Sequence, residues 1–400
     1  MLPKQTRAAT TICKTPLLLQ RRSFGTTVPD VIPSTDNLSL RYSADVKNSP
    51  RYTLMLTTKN ADIARIIDRL GNLPNKVVGK TLLVSGGAGF LGSWFCEVAL
   101  ALGGKVLCID NLIAGSIKNI SHLLDDPNFI FRQEDIALSN IPENIDYIVH
   151  MASIASPPLY QAKPIETLDS AILGSSNLLR YAAQHRIAGY LLTSTSEVYG
   201  NPPQSEVPTS ETYAGNTYSY GPRSMYDESK RVEEAYCYAY YKKHTVPVRI
   251  ARIFNTYGPR IDTALPPEQS RALIKFIDQA IHNETITVYG HGDTTRSFCY
   301  VTDQIVGLFK LLLTAGIDGE IVNIGNDQEI SLATLAKTIV SSAQSSSFIT
   351  FEAKPAYNLE HDPQRRQPYL GKARRLLGYQ TEVPLEEGLA KTIAWYRSKE

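Results

Sequence analysis

From about residue 80 onward, short apolar runs and amphipathic stretches take turns along this 400-residue chain. Thr81-Leu82-Leu83-Val84-Ser85, Lys105–Ile109, Phe129-Ile130-Phe131, Ile145–Val149, Tyr190–Ser194 and Val246–Phe254 are near-continuous apolar runs. Such runs mark strands buried on both faces. Between them Trp94, Phe95, Val98, Ala99 and Leu102 recur at helical spacing, and Ile165–Gln184 and Tyr226–His244 pattern as longer helices. Alternation of this kind predicts an α/β fold with a parallel, doubly wound sheet. Upstream, Ile63, Ile66, Ile67 and Leu70 share one helical face that Gly71 stops, after a loop-like stretch rich in Ser, Asn, Pro and Asp.

The glycine cluster after the first run makes the prediction more specific. Ser85-Gly86-Gly87-Ala88-Gly89-Phe90-Leu91-Gly92 follows a strand and opens a helix, the context of a dinucleotide-binding turn in a Rossmann-like domain. Glycines allow the tight turn and a close backbone approach to pyrophosphate, which the helix N–H groups then face. Gly87, Gly89 and Gly92 fit one known spacing and Gly86, Gly89 and Gly92 another; the loop alone leaves both open. The next strand ends at Asp110, where a carboxylate would accept the ribose hydroxyls and repel a 2′-phosphate, favouring NAD over NADP. Asp135-Ile136 reads as an adenine-edge contact, and Met151-Ala152-Ser153 as small residues that let a cofactor lie close.

A net charge of +2 spread along the chain gives no reason to expect nucleic acid, and no apolar run is long enough for a membrane span. Five cysteines with no close pair suggest neither a disulfide framework nor a zinc site, so a reducing compartment and no metal are expected. Residues 1–29 carry Lys4, Arg7, Lys14, Arg21 and Arg22 with no acid before Asp30. They read as an organelle transit peptide or as a disordered basic tail, so a cytoplasmic location and mitochondrial import are both expected readings. The domain reading is a linker with a short helix over 30–79, a nucleotide domain mainly over 80–259, and a smaller substrate lobe mainly over 260–400. That lobe is discontinuous, with segments returning to the nucleotide domain.

The chemistry sits at two places. Thr195-Ser196-Glu197 lies at a strand end, and Tyr226 and Lys230 lie one helical turn apart on the same face. A phenol is a weak base until a nearby ammonium and an oxidised nicotinamide favour the phenolate. Thr195 would hold the substrate oxygen beside it, a set suited to taking a proton from an alcohol during hydride transfer.

Five stretches carry a family resemblance: Gly86–Gly92, Thr195–Gly200, Gly221–Arg231, Ala251–Arg260 and Thr295–Val301, joined by Asp362-Pro363-Gln364-Arg365-Arg366-Gln367-Pro368. From about Lys80 to its end the chain resembles the UDP-glucuronate decarboxylases (UDP-xylose synthases) of the extended short-chain dehydrogenase/reductases. The resemblance implies bound NAD, a UDP-sugar substrate and a homodimer built on the helices Ile165–Gln184 and Tyr226–His244. It implies Thr195, Glu197, Tyr226 and Lys230 as catalytic residues. Gly86, Gly89, Phe90, Leu91, Gly92, Asp110, Asn111, Gly115, Asp135, Ile136, Met151, Ser153, Tyr226, Lys230 and Thr256 would meet the cofactor. Asn255, Arg271 and Arg296 would meet the substrate, with Arg296 at its diphosphate.

Ser196 discriminates within the wider family. Nucleotide-sugar 4,6-dehydratases resemble this chain but carry an Asp there, the acid for a departing C6 hydroxyl. Decarboxylation needs no such acid. Two departures stand against the family pattern: Asp169 replaces a Lys and Ala171 an Asn, which puts a substrate contact and a water network in question. The alternatives are a 4,6-dehydratase, a 4-epimerase, an apiose/xylose-type synthase, or a nucleotide-sugar-binding relative without turnover.

Overall fold

The computed structural model describes residues 60–142, 144–263, 265–266, 270–353 and 363–399. The expectations for residues 1–29 and 30–59, and Asp362 of the last motif, lie outside them. Seven strands form one parallel sheet: β1 (Thr81–Ser85), β2 (Lys105–Ile109), β3 (Phe129–Arg132), β4 (Tyr147–His150), β5 (Gly189–Thr195), β6 (Val248–Ile253) and β7 (Ile321–Ile324). Their spatial order is β7-β6-β5-β4-β1-β2-β3, with every neighbouring pair parallel. This is a doubly wound sheet, whose strand order reverses between β1 and β4 and opens a crevice beyond the strands' carboxyl ends. The six strands expected from apolar runs are present, with bounds shifted by a residue or two.

The seventh strand was not expected. It is only four residues long, Ile-Val-Asn-Ile, and Asn323 interrupts its apolar run. That asparagine is wholly buried and tied on every side: it accepts from Tyr199 Oη at 2.7 Å and donates to the carbonyls of Thr209 at 3.0 Å and Tyr369 at 3.3 Å. A buried polar side chain is tolerated when it is bonded this fully.

Helices cover both faces. On one side α1 (Ala61–Arg69) and α2 (Phe90–Ala101) pack with a later helix, α6 (Val301–Leu313), which also reaches β5, β6 and β7. The face of α1 foreseen from its apolar spacing is buried at Ile63, Ile66 and Ile67, and Asn60 caps it by accepting from Asp62 N at 3.1 Å. On the other side α3 (Pro164–Gln184) and α4 (Ser224–His244) pack side by side. Gly174 of α3 sits where a Cβ would lie 2.9 Å from Ile136, so the helix runs close over the sheet. The remaining elements include α5 (Ala272–Ile281), α7 (Leu332–Ala343) and α8 (Leu385–Arg397), which pack on one another beside the parallel strand pair Ile286–Tyr289 and Ile349–Glu352.

The glycine loop shows why its residues are small. Gly86 has φ +74°, a left-handed conformation, and a Cβ there would lie 2.6 Å from Ala152 N. A Cβ on Gly92 would lie 2.1 Å from the Gly86 carbonyl oxygen, so the first turn of α2 rests directly on the loop. Gly92→Ala therefore has no side chain to push aside, only backbone. We expect it to lower the melting temperature, by an overpacking cost of about 1–3 kcal/mol, and to weaken NAD binding; an unchanged melting curve would contradict this packing.

Candidate active site

Beyond the carboxyl ends of the strands lies a cleft of about 570 Å³, and every residue singled out for cofactor, substrate or chemistry lines it. Its dinucleotide end is built by β1, β2 and β4. Asp110, at the end of β2, is buried, with Oδ2 accepting from Ala88 N at 3.0 Å and Oδ1 from Leu112 N at 2.8 Å. Burial pushes its carboxyl up, and the N–H groups of Leu112, Ala88 and Gly89 partly offset that. A Cβ on Gly115 would lie 2.8 Å from both Asp110 carboxylate oxygens, so the absent side chain leaves them open toward the cleft. Asn111 donates to Asp135 Oδ2 at 3.1 Å and thereby joins the ends of β2 and β3. A glycine cradle, a helix N-terminus and a buried acid in this arrangement fit a dinucleotide.

The other end holds the reactive groups. Thr195 closes β5, and its Oγ1 accepts from Glu197 N at 3.2 Å, which turns the chain sharply and points Glu197 into the cleft. Tyr226 lies in the first turn of α4, buried, its ring stacked on Tyr160 with centroids 5.4 Å apart and planes 2° apart. Burial pushes its phenol up, a hydrogen bond with Thr195 and the charge of Arg271 pull it back, and Glu197 and Asp227 add to the rise. Lys230 Nζ donates to the Thr193 carbonyl at 3.1 Å.

Glu197 is the electrostatic centre of this end. Arg223 and Arg366 both bond its carboxylate, Arg366 through Nη1 to Oε1 and through Nη2 to Oε2 at 2.7 Å. Burial opposes the charge, but Arg223, Arg366 and Arg296 outweigh it and hold the carboxyl at about 2. Glu197 is thus ionised at any working pH. Arg296 donates through Nη1 to the carbonyl of Thr295 at 2.8 Å, while Arg271 is tied to Asp262 at the rim. Neither Arg223 nor Arg366 was foreseen as a site residue, although both stand inside the motif blocks. Tyr160 was also missed; it lies on a helix of only six residues, Pro157–Ala162, too short to show a periodic signal.

Asp169 is exposed on α3 and Ala171 is buried, and neither lines the cleft. Between them Ser170 does. The like-charge conflict that Asp169 posed for an anionic substrate is therefore absent. Among the described residues, no group of three or more His, Cys, Asp or Glu side chains is placed to hold a metal, and no helix is long and apolar enough to cross a membrane.

A model of the NAD dependent epimerase/dehydratase family matches residues 82–325. The chain is 42% identical over 321 residues to UDP-glucuronic acid decarboxylase 1 of Xenopus tropicalis, covering 80% of this chain and 73% of that protein. It is 38% identical to UDP-glucuronic acid decarboxylase 4 of Arabidopsis thaliana, covering 84% and 73% respectively. Among solved structures, it is similar to UDP-glucuronic acid 4-epimerase from Bacillus cereus in complex with UDP-glucuronic acid and NAD. The TM-score there is 0.71 at 26% identity, covering 80% of this chain and 100% of that one. It is also similar to a dTDP-glucose 4,6-dehydratase from Streptomyces venezuelae with NAD bound, at TM-score 0.69 and 28% identity, covering 80% and 96%.

The clamp predicts a pH dependence. Asp227 lies behind Arg223, with Oδ2 3.5 Å from Arg223 Nε, and burial and then repulsion from Glu197 push its carboxyl up to about 7. A raised carboxyl binds its proton more tightly folded than unfolded, so it costs stability as pH rises from the unfolded value toward 7. Asp227→Asn should therefore melt above the unaltered chain by a margin that widens from about pH 4 to pH 7 and then levels. A margin independent of pH would contradict it.

Proposed function

We infer that this chain, a member of the NAD dependent epimerase/dehydratase family, removes carbon dioxide from UDP-glucuronate to give UDP-xylose. The chain belongs to that family and, within it, to the UDP-glucuronic acid decarboxylases. The observation that carries the reaction is the electrostatic state of the acids beside Tyr226. Glu197 is locked as a carboxylate by its arginines, and Ser196, which follows Thr195, is a buried alcohol. Asp227, the nearby carboxyl poised near neutrality, lines a small cavity behind Arg223 and not the cleft. Among the described residues, neither acid beside Tyr226 is thus in place at neutral pH to expel a C6 hydroxyl. A C6 carboxylate needs none, because a ketone at C4 is enough to let it go.

The chain's own groups take the following roles. Thr195 holds the C4 oxygen and Tyr226 takes its proton, with Lys230 supporting the phenolate. NAD, held by the glycine loop and Asp110, would supply the acceptor and donor of the C4 hydride, and its positive ring would favour the phenolate. That help matters, since burial alone leaves the Tyr226 phenol a poor base. Oxidation makes the sugar a β-keto acid, the C5–C6 bond breaks, and carbon dioxide leaves with the electron pair held as an enolate. C5 then gains a proton, and Tyr226 returns its proton to the C4 oxygen as the ketone is reduced. Glu197 positions the sugar, Asn255 and Arg271 contact the substrate, and Arg296 meets the diphosphate with a fork-shaped cation.

The test is three parallel incubations of purified protein, followed by mass spectrometry. UDP-glucuronate should yield UDP-xylose and carbon dioxide, while UDP-glucose and dTDP-glucose should yield no 4-keto-6-deoxy product. Loss of water from either hexose, with the uronate intact, would reverse the assignment to a dehydratase.

A homodimer is supported by the α3–α4 pair, which leaves Ile165, Leu173 and Tyr238 exposed at 63%, 46% and 63%. A second copy would cover them by packing its own pair into a four-helix interface. Light scattering at micromolar concentration should give a dimer; a monomer alone would contradict this.

A further inference from the structure

Helix α4 carries an acid that the mechanism above leaves unused. Glu233, nearly one turn beyond Lys230, is wholly buried, and its Oε2 lies 2.8 Å from Lys230 Nζ. Its Oε1 lies 3.3 Å from His150 Nε2 and 3.5 Å from the Ser175 hydroxyl, which donates to it. His150 ends β4, itself buried, and its Nδ1 is 2.7 Å from Ser85 Oγ, the residue before Gly86. A polar line therefore runs from Lys230 through Glu233 and His150 to the foot of the glycine loop. Neither Glu233 Oε2 nor His150 Nε2 makes a hydrogen bond of ordinary geometry among the described residues.

The surroundings give the contact its meaning. Lys230 is 2% exposed, and its hydrogen-bond acceptor is a neutral carbonyl. An ammonium buried without a counter-ion tends to give up its proton, and a neutral amine lends a phenolate no support. Several elements pack against this spot. From β5 comes Tyr190, whose phenol burial pushes well up. From β4 comes His150. The next turn of α4 brings Cys237, whose thiol burial also pushes up, and α3 brings the Ser175 hydroxyl. Glu234 faces elsewhere, bonded by Arg252 at 2.9 and 2.6 Å and by Ser194 Oγ at 2.6 Å. Among the described residues, Glu233 is the carboxylate paired with Lys230.

We propose that Glu233 is a positioning residue for the reaction, the buried counter-ion that keeps the Lys230 ammonium charged and fixed one turn from Tyr226, with His150 and Ser85 fixing the carboxylate in turn. The kinetic consequence rests on the decarboxylase reading; the ion pair itself does not.

The experiment has a kinetic arm and a substrate-free arm, both on the full chain with its cofactor. In the first, Glu233→Gln keeps the shape and removes the charge. Its kcat should fall about tenfold or more at pH 9 but only about twofold at pH 6.5, with KM for UDP-glucuronate little changed, because the unpaired amine loses its proton as pH rises. A purely structural role would lower kcat by one factor at every pH, and that parallel profile would overturn the proposal. In the second arm, melting temperatures are compared for Lys230→Met, Glu233→Gln and the double variant. The double variant should melt above Lys230→Met, since the latter strands a buried carboxylate. A double variant melting no higher would overturn the ion pair. If the unaltered chain releases no carbon dioxide from UDP-glucuronate, the decarboxylase reading fails, and the melting comparison still decides the pair.

Discussion

A carboxylate held in its charged form by arginines draws the active end of this molecule together. Glu197 stands at the end of β5, Arg223 at the start of α4, and Arg366 in the C-terminal segment, 169 residues away along the chain from Glu197. Glu197 is the carboxylate that both arginines share. Their meeting seats the C-terminal segment on the strand ends and gives the cleft one wall. Asn323 makes a second tie nearby by bonding the carbonyls of Thr209 and Tyr369 and the hydroxyl of Tyr199.

The same clamp decides what chemistry the cleft accommodates. Arginines around Glu197 remove it from acid catalysis, and burial around Tyr226 keeps the phenol protonated until positive charge arrives beside it. The first effect leaves a C6 hydroxyl without a proton donor. The second ties the base to the presence of an oxidised cofactor, so proton removal and hydride removal belong to one event. Lys230 is the cation already in place, and Glu233 accounts for how it remains charged out of water.

Much of this was legible in the sequence. The long apolar runs of β1, β2 and β5 and the glycine cluster between β1 and α2 report local physics, and local physics is what a sequence displays. Tyr226 and Lys230 were legible because one helical turn fixes their relation. What escaped has a common cause, dependence on distant partners. Strand β7 hid because Asn323 is polar, and its bonds come from residues far along the chain. Arg366 looked like one of two adjacent arginines until Glu197 gave it a partner. Asp169, which read as a charge in the substrate's path, is exposed on the far side of its helix turn, because a one-residue step moves a side chain about 100° around the axis. Glu233 and Glu234 are neighbours of one type with unrelated partners, Lys230 for one and Arg252 for the other.

The proposed reaction is a closed redox cycle in which C4 is oxidised and then re-reduced by the same hydrogen while C5 exchanges its carboxylate for a solvent proton. Turnover of UDP-glucuronate in deuterium oxide, followed by NMR of the product, tests it most directly. The product should be UDP-xylose carrying one deuterium at C5 and none at C4. Deuterium at C4, or a product that retains its carboxylate with the configuration at C4 inverted, would contradict it.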